Sequence, residues 1–399
     1  MDPVKRQYEA FPYPARDPAD EAKRLIEGSP SHPAEIDHFV FGGRRDWTKP
    51  FRALVAGGGT GDGLIMLAQK LADRKTPAEI VYLDMSEASR AVAEARAEAR
   101  GLTSIRFLTG DLLSAPDHGP FDYIDCTGVL HHLPDLQAGF NALAAALVEG
   151  GGLGAMVYAP YGRTGVYPLQ SALLALSEGE TPAGQVATAK AVLKDLPKTN
   201  WFSQNRFVGD HHESEAGLYD LLLHSRDRPY EAEEVMASVA EAGLTFASFS
   251  EPLRYDPRLY LPAALQGRAD ALSPEARAGL AERLAGNMKL HVFYAVKGAV
   301  SLADMTPDAR PRLNCLAPAT LAGEVKRKGA LRIDSDGLKH TLEIPKAAAD
   351  LIALADGRLR LGEIARARRL DWFAFAALWR PAHTGLTGFN LMRYSEGMW

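Results

Sequence analysis

The sequence predicts an α/β protein built on a doubly wound, parallel sheet. Three observations carry this expectation. Short apolar runs alternate with helix-patterned stretches from residue 51 to 159. A glycine cluster separates the first apolar run from the first helix. After an interruption, the alternation resumes between residues 231 and 298. Strands separated by single helices pair in parallel and bury both faces of their sheet.

Each element has its own signal. The first 50 residues are rich in Pro and aromatic residues, and 8–18 (YEAFPYPARDP) reads as an extended arm, since proline fixes φ and removes an N–H donor. A short helix is expected at 18–27. Residues 53–56 form the first strand. The next helix carries Leu64, Leu67, Ala68 and Leu71 on one stripe. The second strand is 79–84, and Ser86 caps an alanine-rich helix that Gly101 stops. Residues 105–108 and 121–125 are the third and fourth strands, 137–148 a helix and 153–159 the fifth strand. A helix at 231–243, a strand at 244–249, a helix at 274–286 and a strand at 290–296 complete the set.

The domains expected are an arm (1–50), an α/β domain (51–298) carrying a helical insertion (160–230), and a C-terminal module (300–399). The module begins with a Pro-containing linker, 306–311. A hairpin turning at Asp336-Gly337 follows, then three short helical pieces. The last two suggest a small winged-helix-like α+β domain.

Composition excludes several classes. The 399 residues carry a net charge of −5, with hydrophobic and charged fractions of a soluble globular protein. Two cysteines, Cys126 and Cys315, cannot build a disulfide framework or a four-thiolate zinc site. They fit a reducing, cytoplasmic setting. The start MDPVKRQYEAF lacks an apolar core, so no cleaved secretion signal is expected. The most apolar stretch, 138–158, is interrupted by Asn141, Glu149 and glycines and predicts no membrane insertion. Residues 301–399 hold 15 Lys+Arg against 11 Asp+Glu, a net of +4, which leaves −9 for residues 1–300. A basic module on an acidic body admits nucleic-acid contact, although surface drift in charge is favoured.

The informative motif is VAGGGTGDG (55–63). Glycines at 57, 59 and 61 let the backbone turn tightly and approach a ligand, and the helix start offers free N–H groups. The dinucleotide fingerprint needs a glycine where Asp62 stands, and the phosphate loop needs a Gly-Lys pair that this chain lacks. A ligand with little phosphate suits such a loop. Asp84 ends the second strand and Asp111 the third. Strand C-termini line the crevice of a doubly wound sheet. An acid after strand two can accept from both ribose hydroxyls, and one after strand three can hold an adenine amino group.

This set resembles the class I S-adenosylmethionine-dependent methyltransferases, well over about 50–160 and more loosely over 231–298. The resemblance implies a Rossmann-like methyltransferase sheet, with the glycine loop on the methionine part of S-adenosylmethionine. It extends the expected cofactor contacts to Tyr8, Tyr13, Ala56, Gly57, Gly58, Gly59, Gly61, Asp84, Met85, Gly110, Asp111, Leu112, Thr127 and Gly128. FDYIDCTGVLHHLPD (121–135) looks like the family's fourth-strand region. One departure is Val55, where the family usually has an acid; another is Gly58 at the second loop position. The arm Tyr-x-x-Phe-Pro-Tyr-Pro (8–14) and segment 218–244 resemble a bacterial subgroup with a middle regulatory segment, which includes outer-membrane-protein lysine methyltransferases. Spacing at 351–365 is similar to small winged-helix modules.

The transfer needs a positioned lone pair, exclusion of water and a deprotonated nucleophile. Candidate catalytic residues are His131, His132 and Tyr13. Tyr8 and Tyr13 can close over the cofactor or pack the arm. Asp125 can orient an acceptor amine or cap a turn. DCTG (125–128) lacks the Asn/Asp-Pro-Pro-aromatic motif of amide and base methylation. The set His211, His212, Glu213, Glu215 and His224 is spaced too irregularly for a metal, so no metal is expected. It can instead form an acidic wall for a cationic acceptor. Trp201, Phe202 and Phe207 line that pocket or seal the insertion. The function expected is methyl transfer to a protein or peptide side chain, with lysine the leading acceptor by subgroup resemblance. A small-molecule methyltransferase is one alternative. An inactive or nucleic-acid-binding regulatory relative is the other. A homodimer is left open.

Overall fold

The computed structural model describes residues 2–314 and 316–397, so Cys315 lies outside the described residues. The central sheet contains β1 (Phe51–Ala56), β2 (Ala78–Asp84), β3 (Ile105–Thr109), β4 (Phe121–Thr127), β5 (Leu147–Tyr158), β6 (Thr245–Phe249) and β7 (Leu290–Val296). Their order is β3-β2-β1-β4-β5-β7-β6. β1 to β5 pair in parallel. β7 runs antiparallel to both β5 and β6, which corrects the expectation of a wholly parallel sheet. Helix–strand alternation carries no strand direction, and an antiparallel strand near the edge of a parallel sheet is common.

Strand residues alternate between two cores. Leu54, Ala56, Val81 and Leu83 join one apolar cluster. Their neighbours Ala53, Val55, Ile80 and Tyr82 join the other. Successive strand side chains point to opposite faces, so both faces are covered. The covering helices include α3 (Asp62–Asp73), α4 (Glu87–Ala99) and α5 (Leu136–Ala145), with α11 (Ala232–Glu241), α12 (Ala263–Asp270) and α13 (Pro274–Ala285) after the insertion. Ser86 caps α4 by accepting from the Ser89 N–H. The fifth strand begins at Leu147, six residues earlier than expected, because α5 already stops at Ala145.

The arm is not extended throughout. α1 (Pro3–Ala10) includes Tyr8, because Asp2 caps it and Pro3 suits the first helical position. The prolines at 12 and 14 break the chain only after Phe11. Residues 18–22 form a 3-10 turn and not a helix to 27. Here Glu21 is turned inward onto arginines. A helix absent from the sequence reading, α2 (Pro33–Phe39), is buried along its whole length.

The insertion consists of α6 (Val166–Leu176), α7 (Pro182–Asp195), the single turns α8 (Trp201–Gln204) and α9 (Asp210–Glu213), and α10 (Glu215–Leu222). It has its own small apolar cluster, with Phe202 inside. The tail carries the strand pair β8 (Arg310–Leu313) and β11 (Met392–Ser395) and the hairpin β9 (Ala330–Ser335)–β10 (Leu338–Glu343). Asp336 and Gly337 at the hairpin tip have φ 47° and 79°, as a two-residue turn of this hand requires. Helices α14 (Pro318–Lys328), α15 (Ala349–Ile352), α16 (Leu361–Ala367) and α17 (Trp372–Gly388) pack there around Phe375 and Trp379. Among the described residues, no helix is long and apolar enough to cross a membrane.

Candidate active site

The loop between β1 and α3 is held from three sides. Gly57, Gly59 and Gly61 have φ of 67°, 51° and 101°, which side-chain-bearing residues rarely adopt. A Cβ at Gly58 would lie 2.5 Å from the Tyr82 ring, and one at Gly57 would run into Val129. The Tyr82 O–H donates to the Gly59 carbonyl at 2.7 Å. From above comes the arm. Thr60 Oγ1 donates to the Pro14 carbonyl at 2.7 Å, and the Thr60 N–H meets the Tyr13 carbonyl at 3.4 Å.

Asp62, whose presence breaks the dinucleotide fingerprint, clamps the arm. Its carboxylate takes the Arg16 guanidinium at 2.6 Å and Arg96 of α4 at 2.7 Å. Arg96, 1% exposed, also holds Glu21, which in turn binds Arg100. Glu9 of α1 accepts the Glu87 N–H at 2.7 Å, an anion at the positive end of α4.

The strand C-termini open into a cavity of about 600 Å³. Asp84 lies in its wall, 8% exposed. Its two oxygens accept from the Gly59 and Ser86 N–H groups, each at 2.8 Å, and burial pushes its pKa up. Asp111 is exposed and accepts from the Leu113 N–H at 2.8 Å. Asp125 is buried and accepts from Ser31 Oγ and Thr127 Oγ1. Burial raises its pKa to about 7. Val55 also lines the wall, so the position where the resemblance expects an acid is apolar. Every expected cofactor residue lines this cavity except Gly61, which starts α3 instead. Of the catalytic candidates, Tyr13 and His132 line it, and His131 does not.

The far end of the cavity was not read from the sequence. Asp220 of α10 accepts from the Tyr8 and Tyr158 hydroxyls, both at 3.0 Å. Burial pushes the Asp220 carboxyl up and both phenols well above their usual value, so the tyrosines stay donors. Arg163 stacks its guanidinium 3.7 Å from the Tyr158 ring centre. The signals existed. Tyr158 ends the fifth strand, and Asp220 is an acid set among leucines in LYDLLL.

The histidine set named from sequence is not gathered. His211 and His212 sit on α9, Glu215 pairs with Lys190, and His224 leaves them to stack on His132 at 3.8 Å. Phe207 lines the cavity, while Trp201 is 66% exposed. Cys126 is a buried residue of β4.

These residues fit a nucleoside-sulfonium cofactor. The loop admits no side chain at Gly57, Gly58 or Gly59, a buried carboxylate stands at the β2 end, and the remaining wall mixes apolar groups with acids. The methyltransferase domain family matches residues 54–153, the run from β1 into β5. The chain thus carries a methyltransferase domain on a Rossmann-like sheet, and the site fits S-adenosylmethionine as methyl donor.

It belongs to the same family as an uncharacterized protein of Synechococcus sp., 32% identical over 291 residues that cover 70% of this chain and 68% of the other. A demethylmenaquinone methyltransferase of Thermus thermophilus is 35% identical over 112 residues, 28% of this chain and 49% of that protein. Among solved structures, PKMT2 from Rickettsia typhi in complex with AdoHcy superposes with a TM-score of 0.67 at 13% identity. That match covers 92% of this chain and 76% of the other, and it shows the shared fold.

Proposed function

We propose that this methyltransferase modifies an amine on a protein or peptide, with lysine as the leading acceptor. The observation that supports this reading is the acidic cavity closed by the Tyr8–Asp220–Tyr158 cluster. Asp2, Glu27, Asp62, Asp84, Asp111, Asp125, Asp210 and Asp220 line it against Arg163, Arg226 and Lys289. An excess of carboxylates favours a cationic guest.

In this reading Gly57, Gly58 and Gly59 hold the methionine part of the cofactor, Asp84 the ribose and Asp111 the adenine. Bound there, the cofactor supplies an electrophilic methyl group. Asp220 pairs with the incoming ammonium and takes its proton, which its raised pKa favours. Tyr8 and Tyr158 hold the carboxylate in place by donating to it. Tyr13, the arm residue over the loop, helps to exclude water. His131 and His132 stand in the wall behind Tyr158 and do not take the proton.

The tail is read as winged-helix-like on its hairpin and the α16–α17 pair. Lys326, Arg327 and Lys328 of α14 are each paired with Glu324 or Asp350, which leaves little free positive charge there for a nucleic acid.

Labelled-methyl transfer into cell extract, followed by fractionation, tests the acceptor class. Label in protein and acid-stable on lysine is expected; label confined to RNA or small molecules overturns the reading. Asp84→Ala should abolish S-adenosylmethionine binding by calorimetry. Asp220→Asn should keep that binding and lose about 100-fold or more in turnover.

A further inference from the structure

Outside this reading, two buried histidines and a buried aspartate converge with idle lone pairs. His131 is 0% exposed, yet neither ring nitrogen has a hydrogen-bond partner. The Asp227 side chain is equally buried. Its Oδ2 accepts from Arg163 Nη2 at 3.2 Å, while Oδ1 makes no hydrogen bond within 3.5 Å, although the Gln170 side chain approaches the carboxyl. His132 places Nδ1 2.8 Å from the Arg226 carbonyl oxygen. A carbonyl only accepts, so Nδ1 carries the proton and Nε2 keeps the lone pair. One donor atom from each residue lies within 4.8 Å of the other two.

We propose that His131, His132 and Asp227 bind a divalent transition metal ion. Two imidazoles and a carboxylate suit zinc, manganese, iron or cobalt. Bonds of about 2.0–2.2 Å at tetrahedral angles place donors about 3.3–3.6 Å apart, so the three donors close in by up to about 1.5 Å when the ion enters. The Arg226 carbonyl fixes the His132 tautomer, as an outer partner of a ligating histidine does. Arg163 occupies Oδ2 of Asp227 and leaves Oδ1 for the ion.

A neighbouring trio, His132, Asp220 and His224, is rejected by the same reasoning. His224 Nδ1 accepts from the Arg226 N–H at 3.1 Å, so its proton is on Nε2, which faces Tyr8. Asp220 accepts from the Tyr8 and Tyr158 hydroxyls and is the group assigned to the acceptor amine.

The site joins segments 95 residues apart. His131 and His132 form the turn after β4, and Asp227 lies near the end of the insertion, beyond α10. The Arg228 N–H already reaches the His131 carbonyl at 3.2 Å. An ion here would pin the end of the insertion to the sheet, directly behind Tyr158, whose ring centre is 4.1 Å from that of His131. It acts as a positioning device for the acceptor wall, and it explains why His131 is buried with neither ring nitrogen hydrogen-bonded.

The test needs no acceptor and no turnover. Full-length protein is stripped with a chelator and titrated with Zn²⁺ or Co²⁺ alone. About one ion per chain, a Co²⁺ visible spectrum and a higher unfolding temperature are expected. His132→Gln and Asp227→Asn should each lower the affinity by more than the about 10–100-fold that loss of an outer partner costs. His212→Ala should leave it unchanged. Absence of stoichiometric uptake by the wild-type protein overturns the proposal, whatever the variants do. So does uptake that survives both ligand substitutions or is lost in His212→Ala.

Discussion

Asp125 shows how burial changes a residue that the sequence presents as an ordinary acid. Its ordinary pKa of 3.8 rises to about 7 because the carboxyl is removed from water at the end of β4. The folded state therefore prefers the protonated form, and the unfolded state releases the proton at lower pH. Its contribution to stability is complete below about 3.8 and is lost as pH rises through about 7. Replacement by Asn removes this dependence. Urea unfolding of wild type and Asp125→Asn from pH 4 to 8 should show the wild type losing ground by at most about 1.4 kcal/mol per pH unit. Parallel profiles would refute the assignment. Ser31, which donates to Asp125, lies 94 residues away and could not be matched to it from sequence. Asp84 and Asp111 could be picked out, because Asp84 ends β2 and Asp111 stands two residues beyond β3.

At the scale of elements, the arm and α4 are joined by charge as much as by packing. Arg96 is 1% exposed and holds Glu21 and Asp62 together, both from outside its own helix. Removing one partner of a buried pair leaves the other charge uncompensated, at a cost of about 3–5 kcal/mol. Arg96→Met should lower stability by less than that, because Asp62 and Glu21 each keep a second arginine. It should also open residues 1–27 to limited proteolysis, since Asp62 and Glu21 then keep only Arg16 and Arg100. An arm as resistant as that of the wild type would show that the clamp lies elsewhere. Sequence periodicity found the helices and strands of the sheet because their apolar spacing is local. It missed α1 and α2, whose proline-rich starts look like loops until caps and burial are known.

For the whole molecule, the arrangement as a body and an appended tail is too loose a description. Glu35 of α2 is fully buried and paired with Arg393 of the tail at 3.1 Å. Asp37 accepts from Ser395 Oγ at 2.6 Å, and His38 Nδ1 accepts from the Tyr394 N–H at 3.1 Å. Leu253 of the body packs into the tail core. Removing residues 301–399 would expose this seam and strand two buried carboxylates. The truncated body is expected to unfold at a clearly lower temperature than the full chain by circular dichroism. A truncated body with an unchanged transition would mean that the tail is merely tethered. The charge difference between the two parts, +4 against −9, is thus bridged by contacts such as Arg393–Glu35.

The class of fold, the glycine loop and the carboxylates that follow the second and third strands were legible in the chain alone. All three are written in local spacing, which the strand and helix repeats preserve. Tertiary structure decided the direction of β7, the arm's grip on Asp62, the Tyr8–Asp220–Tyr158 cluster and the meeting of His131 and His132 with Asp227. Each depends on residues tens to hundreds of positions apart. Their chemistry appears only when folding removes them from water and leaves each buried polar group to find a partner.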